Sequence, residues 1–162
     1  MKVTDLTELF KKQRKLDDFV LEQHGIKDET TLKAHRRLAL FDEIAELLNK
    51  TRVHKYWSNK PSNAREDLLE EYVDGWHFLL MIGNDLSMPP LHDGLDKKED
   101  LVSQFDAILF TASIVYSPIG WYCMVSLYKG LGELLGFDWS KDILPAYDKK
   151  YEINIERQKS GY

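Results

Sequence analysis

The stretch LLEEYVDGWHFLL, residues 68–80, decides the fold because it has the apolar spacing of a buried helix yet carries carboxylates in its middle. Its apolar side chains recur every three or four positions, at Leu68, Tyr72, Trp76 and Leu79. Glu71 and Asp74 lie along the border of that face, and Gly75 beside them removes a side chain. A glycine here allows another backbone to approach the helix closely. The pattern predicts a helix that packs on one side and presents two acidic groups at the edge of the core.

The rest of the chain shows the same helical periodicity, and no segment has a convincing strand alternation. Asn63 with Glu66 has the spacing of a capping box for the third helix, and Ser140 is suited to cap the last one. We expect an all-α bundle of about six helices that forms one domain over residues 1–162. The approximate helical ranges are 4–23, 30–50, 63–83, 99–116, 118–136 and 140–158.

Composition and charge exclude several classes of protein. The chain of 162 residues has a formal net charge of −5, which argues against a nucleic-acid polymer as the main partner because such binders usually present a basic face. Its one cysteine, Cys123, rules out an intrachain disulfide and a cysteine-based zinc site. The N-terminal segment lacks the apolar core of a signal peptide, so we expect a cytoplasmic location.

An uncharged run, residues 107–128, has enough length for a membrane span. Several small polar residues interrupt it, and Ser117 precedes Pro118 in its middle. The residue before a proline disfavours the helical conformation, so this dipeptide predicts a break between two helices. We expect two buried helices here, at a subunit interface, and no membrane partner.

Two pairs of carboxylates stand on consecutive helices, at Glu43 and Glu46 in EIAE and at Glu71 and Asp74 in EYVD. Each pair borders an apolar stripe, so packing of the two helices would bring all four together. Two like charges ~4 Å apart repel by about 4 kcal/mol at an effective dielectric of ~20, so such a cluster needs cations or raised pKa values. Oxygen ligands alone favour Mg²⁺ or Mn²⁺. The alternative is two ordinary solvated acidic faces.

Polar side chains elsewhere are suited to a nucleotide. Gln13 falls on the apolar stripe of the first helix, where its amide can read a base edge or simply lie at a boundary. The loop HKYWSNK brings Lys55 and Trp57 next to the acidic helices, as phosphate and aromatic contacts or as an exposed loop. On the last helix one face carries three further residues, which either meet a polyanion or remain solvated: Lys150, Asn154 and Arg157.

Together these segments resemble a known family. FDEIAELLNKTRVHKYWSNKP, residues 41–61, followed by LLEEYVDGWHFLLMIG, residues 68–83, resembles the dimeric all-α dUTPases, members of the MazG-like NTP pyrophosphohydrolase superfamily. The tail KKYEINIERQKSGY resembles the C-terminal motif of these enzymes, including Gln158, Gly161 and Tyr162. The early KQRKLDD resembles the motif that carries the base-reading glutamine, here Gln13.

The resemblance implies hydrolysis of dUTP to dUMP and pyrophosphate by a homodimer, with Mg²⁺ as cofactor and Mn²⁺ as a substitute. Such an enzyme limits uracil in DNA and supplies dUMP. The four carboxylates would bind the metal, and Glu46 or Glu43 would position or deprotonate the attacking water. The substrate contacts that it implies are Gln13, Lys55, Trp57, His77, Phe78, Lys150, Asn154 and Arg157.

Two other functions remain open from the sequence. The first is a MazG-like pyrophosphohydrolase that acts on dCTP or on several deoxynucleotides, since the two carboxylate motifs alone indicate only the superfamily. The second belongs to a different class: an inactive helical dimer whose acidic helices bind a partner protein.

Overall fold

The computed structural model describes residues 3–27 and 30–161. In these ranges the α-helices are α1 Thr7–Gln23, α2 Leu32–Thr51, α3 Arg65–Asp85, α4 Leu101–Ala112, α5 Pro118–Leu134 and α6 Leu144–Lys159. A π-helical turn, Trp139–Ile143, precedes α6, and the described strands are β1 Thr4–Asp5 and β2 Leu91–His92. The predicted all-α fold of six helices is confirmed.

The small antiparallel pair of β1 and β2 was not expected. Thr4 pairs with His92 and Asp5 with Leu91, and each strand is too short to show an alternating pattern. Because Thr4 and Asp5 are extended, α1 begins at Thr7, three residues later than predicted.

Both predicted side-chain caps are wrong. The residue that precedes α3 is Ala64, and it makes no side-chain cap, while Asn63 donates its amide to the carboxylate of Asp67 at 3.2 Å. At the start of the π-helical turn, Asp138 accepts from the backbone N–H groups of Ser140 and Lys141 at 2.9 and 2.8 Å. Asp138 therefore caps this turn in place of Ser140, because its carboxylate reaches two backbone N–H groups that are free at the start of a helix.

The break within the uncharged run is confirmed. α4 ends at Ala112, and Ser117 then caps α5 by accepting from the backbone N–H of Gly120 at 3.0 Å. Pro118 lies in the first turn of α5, where its missing N–H is not needed. None of the described helices is long and apolar enough to cross a membrane.

Helix α3 packs against α1, α2, α5 and α6. The rings of Tyr72 and Tyr128 stack with centroids 4.7 Å apart, and each hydroxyl donates to the backbone carbonyl of the other residue at 2.9 and 3.0 Å. A Cβ at Gly75 would lie 2.1 Å from the Tyr128 hydroxyl oxygen. The glycine therefore makes room for a tyrosine side chain rather than for the backbone that we expected. This close approach fixes α5 against the carboxylate-bearing segment of α3.

Candidate active site

Helices α2 and α3 run antiparallel, and this arrangement brings their acidic motifs together. Arg36 near the start of α2 pairs with Asp85 at the end of α3, whereas Lys50 near the end of α2 pairs with Glu71. Midway along the helices, Glu43 and Glu46 therefore face the first half of α3. The predicted convergence of the two motifs follows from this pairing.

Three carboxylates form a compact trio. One oxygen from each of Glu43, Glu46 and Glu71 lies within 4.8 Å of the other two. Glu71 is buried, Glu43 is half-buried and Glu46 is exposed, so the trio opens toward solvent on the α2 side. Hard carboxylate oxygens at this spacing have the chemistry that Mg²⁺ requires.

Asp74 stands beside this trio rather than within it. Its Oδ2 atom lies 2.7 Å from the Nζ atom of Lys150, which also contacts Glu70 Oε1 at 3.0 Å. Burial raises the pKa of Asp74 although the ion pair with Lys150 opposes this shift. The contact gives Glu70 a partner, and that lysine holds the pKa of Glu70 below its usual value.

The electrostatics of the cluster favour cations. Burial raises the pKa of Glu43 to about 8, and the negative charges of Asp74 and Glu71 add to the shift. The pKa of Glu46 is also raised, chiefly by the charge of Glu71. The raised pKa values of Glu43 and Glu46 show that negative charge is disfavoured at these two positions, as expected of a cluster with too little positive charge.

Gln13 lies at the centre of a buried polar network. Its Nε2 atom donates to Asp17 Oδ1 at 2.7 Å, and its Oε1 atom lies 2.8 Å from His77 Nδ1 and accepts from the Tyr147 hydroxyl at 2.9 Å. The ring of Tyr147 stacks on that of His77 with centroids 4.2 Å apart. The structure brings together Gln13 and His77, both predicted to lie near the nucleoside, and adds Asp17 and Tyr147, which the sequence reasoning missed.

The protonation of His77 follows from these contacts. Because Gln13 Oε1 can only accept, the hydrogen must sit on Nδ1, and Nε2 is left with a lone pair. Burial lowers the pKa of His77 to about 3, so the ring is neutral near pH 7. The Nε2 atom is buried and has no hydrogen-bond partner in the part of the chain that is described. Phe78, the next residue, is half-buried against the core.

The loop after α2 exposes aromatic side chains. Trp57 is 68% exposed, and its ring lies edge-on to that of Tyr56 at 5.0 Å and to that of His54 at 6.4 Å. Lys55 in the same loop is half-buried. These contacts lie within the loop, so the predicted approach of Lys55 and Trp57 to a substrate stays a prediction.

The C-terminal helix presents its predicted polar face in part toward the cluster. Lys150 reaches the carboxylates, and the positive charge of Arg157 contributes to the low pKa of Glu70. Asn154 between them is half-buried, and Gln158 Oε1 lies 2.9 Å from Nε2 of His24, the residue that follows α1. Gly161 has a φ of 81°, whereas Tyr162 of the same predicted motif lies outside the described residues.

Two surface grooves border these elements. A groove of about 450 Å³ runs between α3 and α6 and is lined in part by Glu70, Lys149 and Lys150. A larger one of about 720 Å³ lies near the end of α5, where Lys129 and Phe137 line it. Only the smaller groove adjoins the ion pairs of Lys150, so it is the one that bears on the carboxylate cluster.

Lys50 is a residue of the cluster that the sequence reasoning missed. It follows Glu46 by four positions and therefore shares its face of α2, a spacing visible in EIAELLNK. Its ammonium pairs with Glu71 across the interface of α2 and α3.

Comparison with known proteins identifies the family of this chain. A family model described as dUTPase matches residues 5–162, and no curated protein matches the chain significantly. The resemblance read from the motifs is thereby confirmed, and family membership supports a hydrolase that acts on nucleoside triphosphates. The chain belongs to the all-α dUTPase family.

Proposed function

We propose that this protein is a Mg²⁺-dependent dUTP diphosphatase that converts dUTP to dUMP and pyrophosphate. The observation that carries the proposal is the trio of carboxylate oxygens from Glu43, Glu46 and Glu71, which lie within 4.8 Å of one another on two packed helices. In a dUTPase family such a site is suited to the triphosphate end of the substrate. The reaction would limit uracil in DNA and supply dUMP, and we expect it to take place in the cytoplasm.

The residues present fit a hard divalent cation. Glu43, Glu46, Glu71 and Asp74 would hold Mg²⁺, with Mn²⁺ as a substitute, because their donors are all carboxylate oxygens. When bound, the metal neutralises charge that develops on the phosphate oxygens. Glu46 or Glu43 orients the attacking water and takes its proton.

The uracil end of the substrate is assigned to Gln13, His77 and Phe78. His77 Nε2 is a neutral acceptor without a partner among the described residues, and uracil carries an N3–H donor that cytosine lacks at neutral pH. A site built to hydrogen-bond one group rejects an analogue that lacks it by ~10⁴ or more. Because this atom is buried, the side chains that cover it have to move for a base to reach it.

The phosphates are assigned to cationic and polar side chains around the smaller groove and the loop after α2. Lys150 already lies at the cluster, since it contacts Asp74 at 2.7 Å. The other members of this set are Lys55, Asn154 and Arg157, while Trp57 offers the substrate an aromatic surface in the same loop.

We also propose that the active form is a homodimer joined through α4 and α5. Phe110 and Ile119 are 80% and 76% exposed, and Ile114 between them is also exposed. Contiguous exposed apolar side chains of this kind mark interaction surfaces on soluble proteins.

The test is a substrate panel of dUTP, dTTP, dCTP and UTP, each with and without Mg²⁺, scored by pyrophosphate release. We expect turnover of dUTP that requires Mg²⁺ and strong discrimination against the other three. Comparable turnover of dCTP or of all four would establish the broader MazG-like activity instead. No turnover, together with no thermal stabilisation by Mg²⁺ and nucleotide, would favour the inactive interaction module.

A further inference from the structure

Lys50 lies where its ammonium and a bound metal ion would compete for the same carboxylate, that of Glu71. Its Nζ atom pairs with Glu71 Oε1, and the two side chains are 29% and 9% exposed. Glu71 is therefore nearly buried, and one of its two oxygens already has a cationic partner. Glu71 is also the only member of the trio that α3 contributes.

The position of Lys50 on α2 keeps its ammonium beside the trio. It stands one helical turn after Glu46, on the same face of the helix. Burial lowers the pKa of Lys50, but its hydrogen bond and ion pair with Glu71, together with the charges of Asp67 and Glu70, outweigh that effect and raise the pKa. The side chain is thus a cation at neutral pH, held against a carboxylate whose charge also reaches Glu46.

A divalent cation on Glu71 and the ammonium of Lys50 compete, because both are positive and both would bind the same small carboxylate. We propose that Lys50 is an internal counter-ion of Glu71 that a metal ion must displace in order to bind. The inference rests on the proposed function, since it assumes that the trio binds a divalent cation. Lys150 pairs with Asp74, the proposed ligand that stands beside the trio, and with Glu70, whereas Lys50 pairs with a carboxylate of the trio itself.

This competition has two consequences of opposite sign. Without metal, Lys50 offsets the repulsion among the three carboxylates and stabilises the packing of α2 on α3. With metal, the same pair must first be broken, so the lysine weakens metal binding. By thermodynamic linkage, the ammonium lowers the affinity for the ion by the same factor by which the ion weakens the ion pair of Lys50 with Glu71.

The experiment compares wild type with Lys50→Met, which keeps the aliphatic stem and removes the charge. Mg²⁺ binding is measured by isothermal titration calorimetry without nucleotide, and thermal unfolding is measured in EDTA. We expect Lys50→Met to unfold at a lower temperature in EDTA and to bind Mg²⁺ about fivefold to tenfold more tightly, within the usual range of coupling between two ligands.

Two further variants serve as controls. Lys97→Met removes one positive charge from the Lys97–Glu133 pair, which joins α5 to the segment before α4, and should leave Mg²⁺ binding unchanged. Lys50→Arg keeps a cation against Glu71 and should bind Mg²⁺ no more tightly than wild type. If Lys50→Met does not fold, Lys50→Gln takes its place in the same comparison.

The outcomes separate this inference from the proposed function. Mg²⁺ binding by Lys50→Met that is equal to or weaker than that of wild type overturns the counter-ion role but leaves the metal site intact. Mg²⁺ binding by neither protein overturns the metal site and the counter-ion role together. Tighter binding by Lys50→Arg than by wild type also contradicts the inference.

Discussion

Lys150 Nζ lies 2.7 Å from Asp74 Oδ2, so one ion pair joins the C-terminal helix α6 to the carboxylate cluster on α3. The lysine side chain is 11% exposed and the aspartate 14%, which makes this a shielded contact rather than a surface pair. Removing one partner of a buried charge pair is costlier than losing a solvated one, because the other charge stays unpaired. The position of α6 and the charge of the cluster are therefore linked.

The carboxylates should be indispensable for turnover. We expect Glu46→Ala and Asp74→Ala each to lower kcat for pyrophosphate release from dUTP by about 10² or more, the usual range for a general base or for a lost metal ligand. Glu8→Ala, which removes an exposed carboxylate of α1, is the control and should retain activity. Near-normal turnover of either alanine variant would show that the substituted residue does not belong to the active site.

Lys150 should contribute to both stability and catalysis. Lys150→Met leaves Asp74 without its cation, so we expect a free energy of unfolding lower by about 1–3 kcal/mol in EDTA and a lower kcat/KM for dUTP. Lys159→Met changes an exposed lysine at the end of the same helix α6, outside the groove between α3 and α6, and should affect neither. Urea unfolding and steady-state kinetics on the two variants make the comparison, and equal behaviour would show that the ion pair has no role in the reaction.

His77 should govern the choice of base. His77→Phe keeps a flat ring but removes the Nε2 acceptor, so we expect the ratio of kcat/KM for dUTP over dCTP to fall by about tenfold or more. Tyr147→Phe is the control, because it also deletes a hydrogen bond to Gln13 Oε1 but leaves the acceptor in place. An unchanged ratio in His77→Phe would place the uracil contact elsewhere.

Asp17 should give the metal-free protein a measurable pH dependence. Burial raises its pKa to about 7 from 3.8, so the folded state holds a proton that the unfolded state releases. This contribution to stability is complete below about pH 4 and is lost as the pH rises through 7. Asn cannot titrate and can still accept from Gln13, so Asp17→Asn should lose less stability between pH 5 and 8 than wild type does.

Urea unfolding in EDTA across this pH range measures the effect. The difference between the two proteins in stability lost from pH 5 to 8 should amount to a few kcal/mol at most, since each pKa unit corresponds to about 1.4 kcal/mol. Glu43 shifts the slope in the same direction in both proteins, so the comparison isolates Asp17. Asp18→Asn, at the exposed next position of α1, should keep the wild-type slope. Parallel curves for Asp17→Asn and wild type would contradict the prediction.

The parts of this site that could be predicted are those encoded by local spacing. Glu43 with Glu46, and Glu71 with Asp74, share helical faces because three positions nearly complete one turn. The pairing of Lys50 with Glu71 could also have been predicted, since Lys50 lies one helical turn after Glu46 and so shares its face of α2. Helical periodicity was therefore sufficient to predict the shared faces of the acidic motifs and the number of helices.

Other contacts depend on tertiary packing and have no local signal. Lys150 and Glu70 are 80 residues apart, and Tyr147 meets Gln13 only because α6 packs on α1. The caps failed for a similar reason: Asp138 and Ser140 are both suitable N-cap residues two positions apart, and nothing in the spacing ranks them. The two-residue strands pair through backbone atoms across the chain, which a pattern of side chains does not reveal.

The exposed apolar face of α4 and α5 should mediate dimerisation. Phe110→Asp puts a charge at a side chain that is 80% exposed in the single chain, so we expect it to dissociate a dimer without unfolding α4. Sedimentation equilibrium gives the mass, and circular dichroism checks the helical content. Leu91→Asp, at another exposed apolar residue, on β2, is the control and should remain dimeric. A Phe110→Asp variant that sediments as wild type does would exclude this face as the interface, because a buried charge there could not be tolerated.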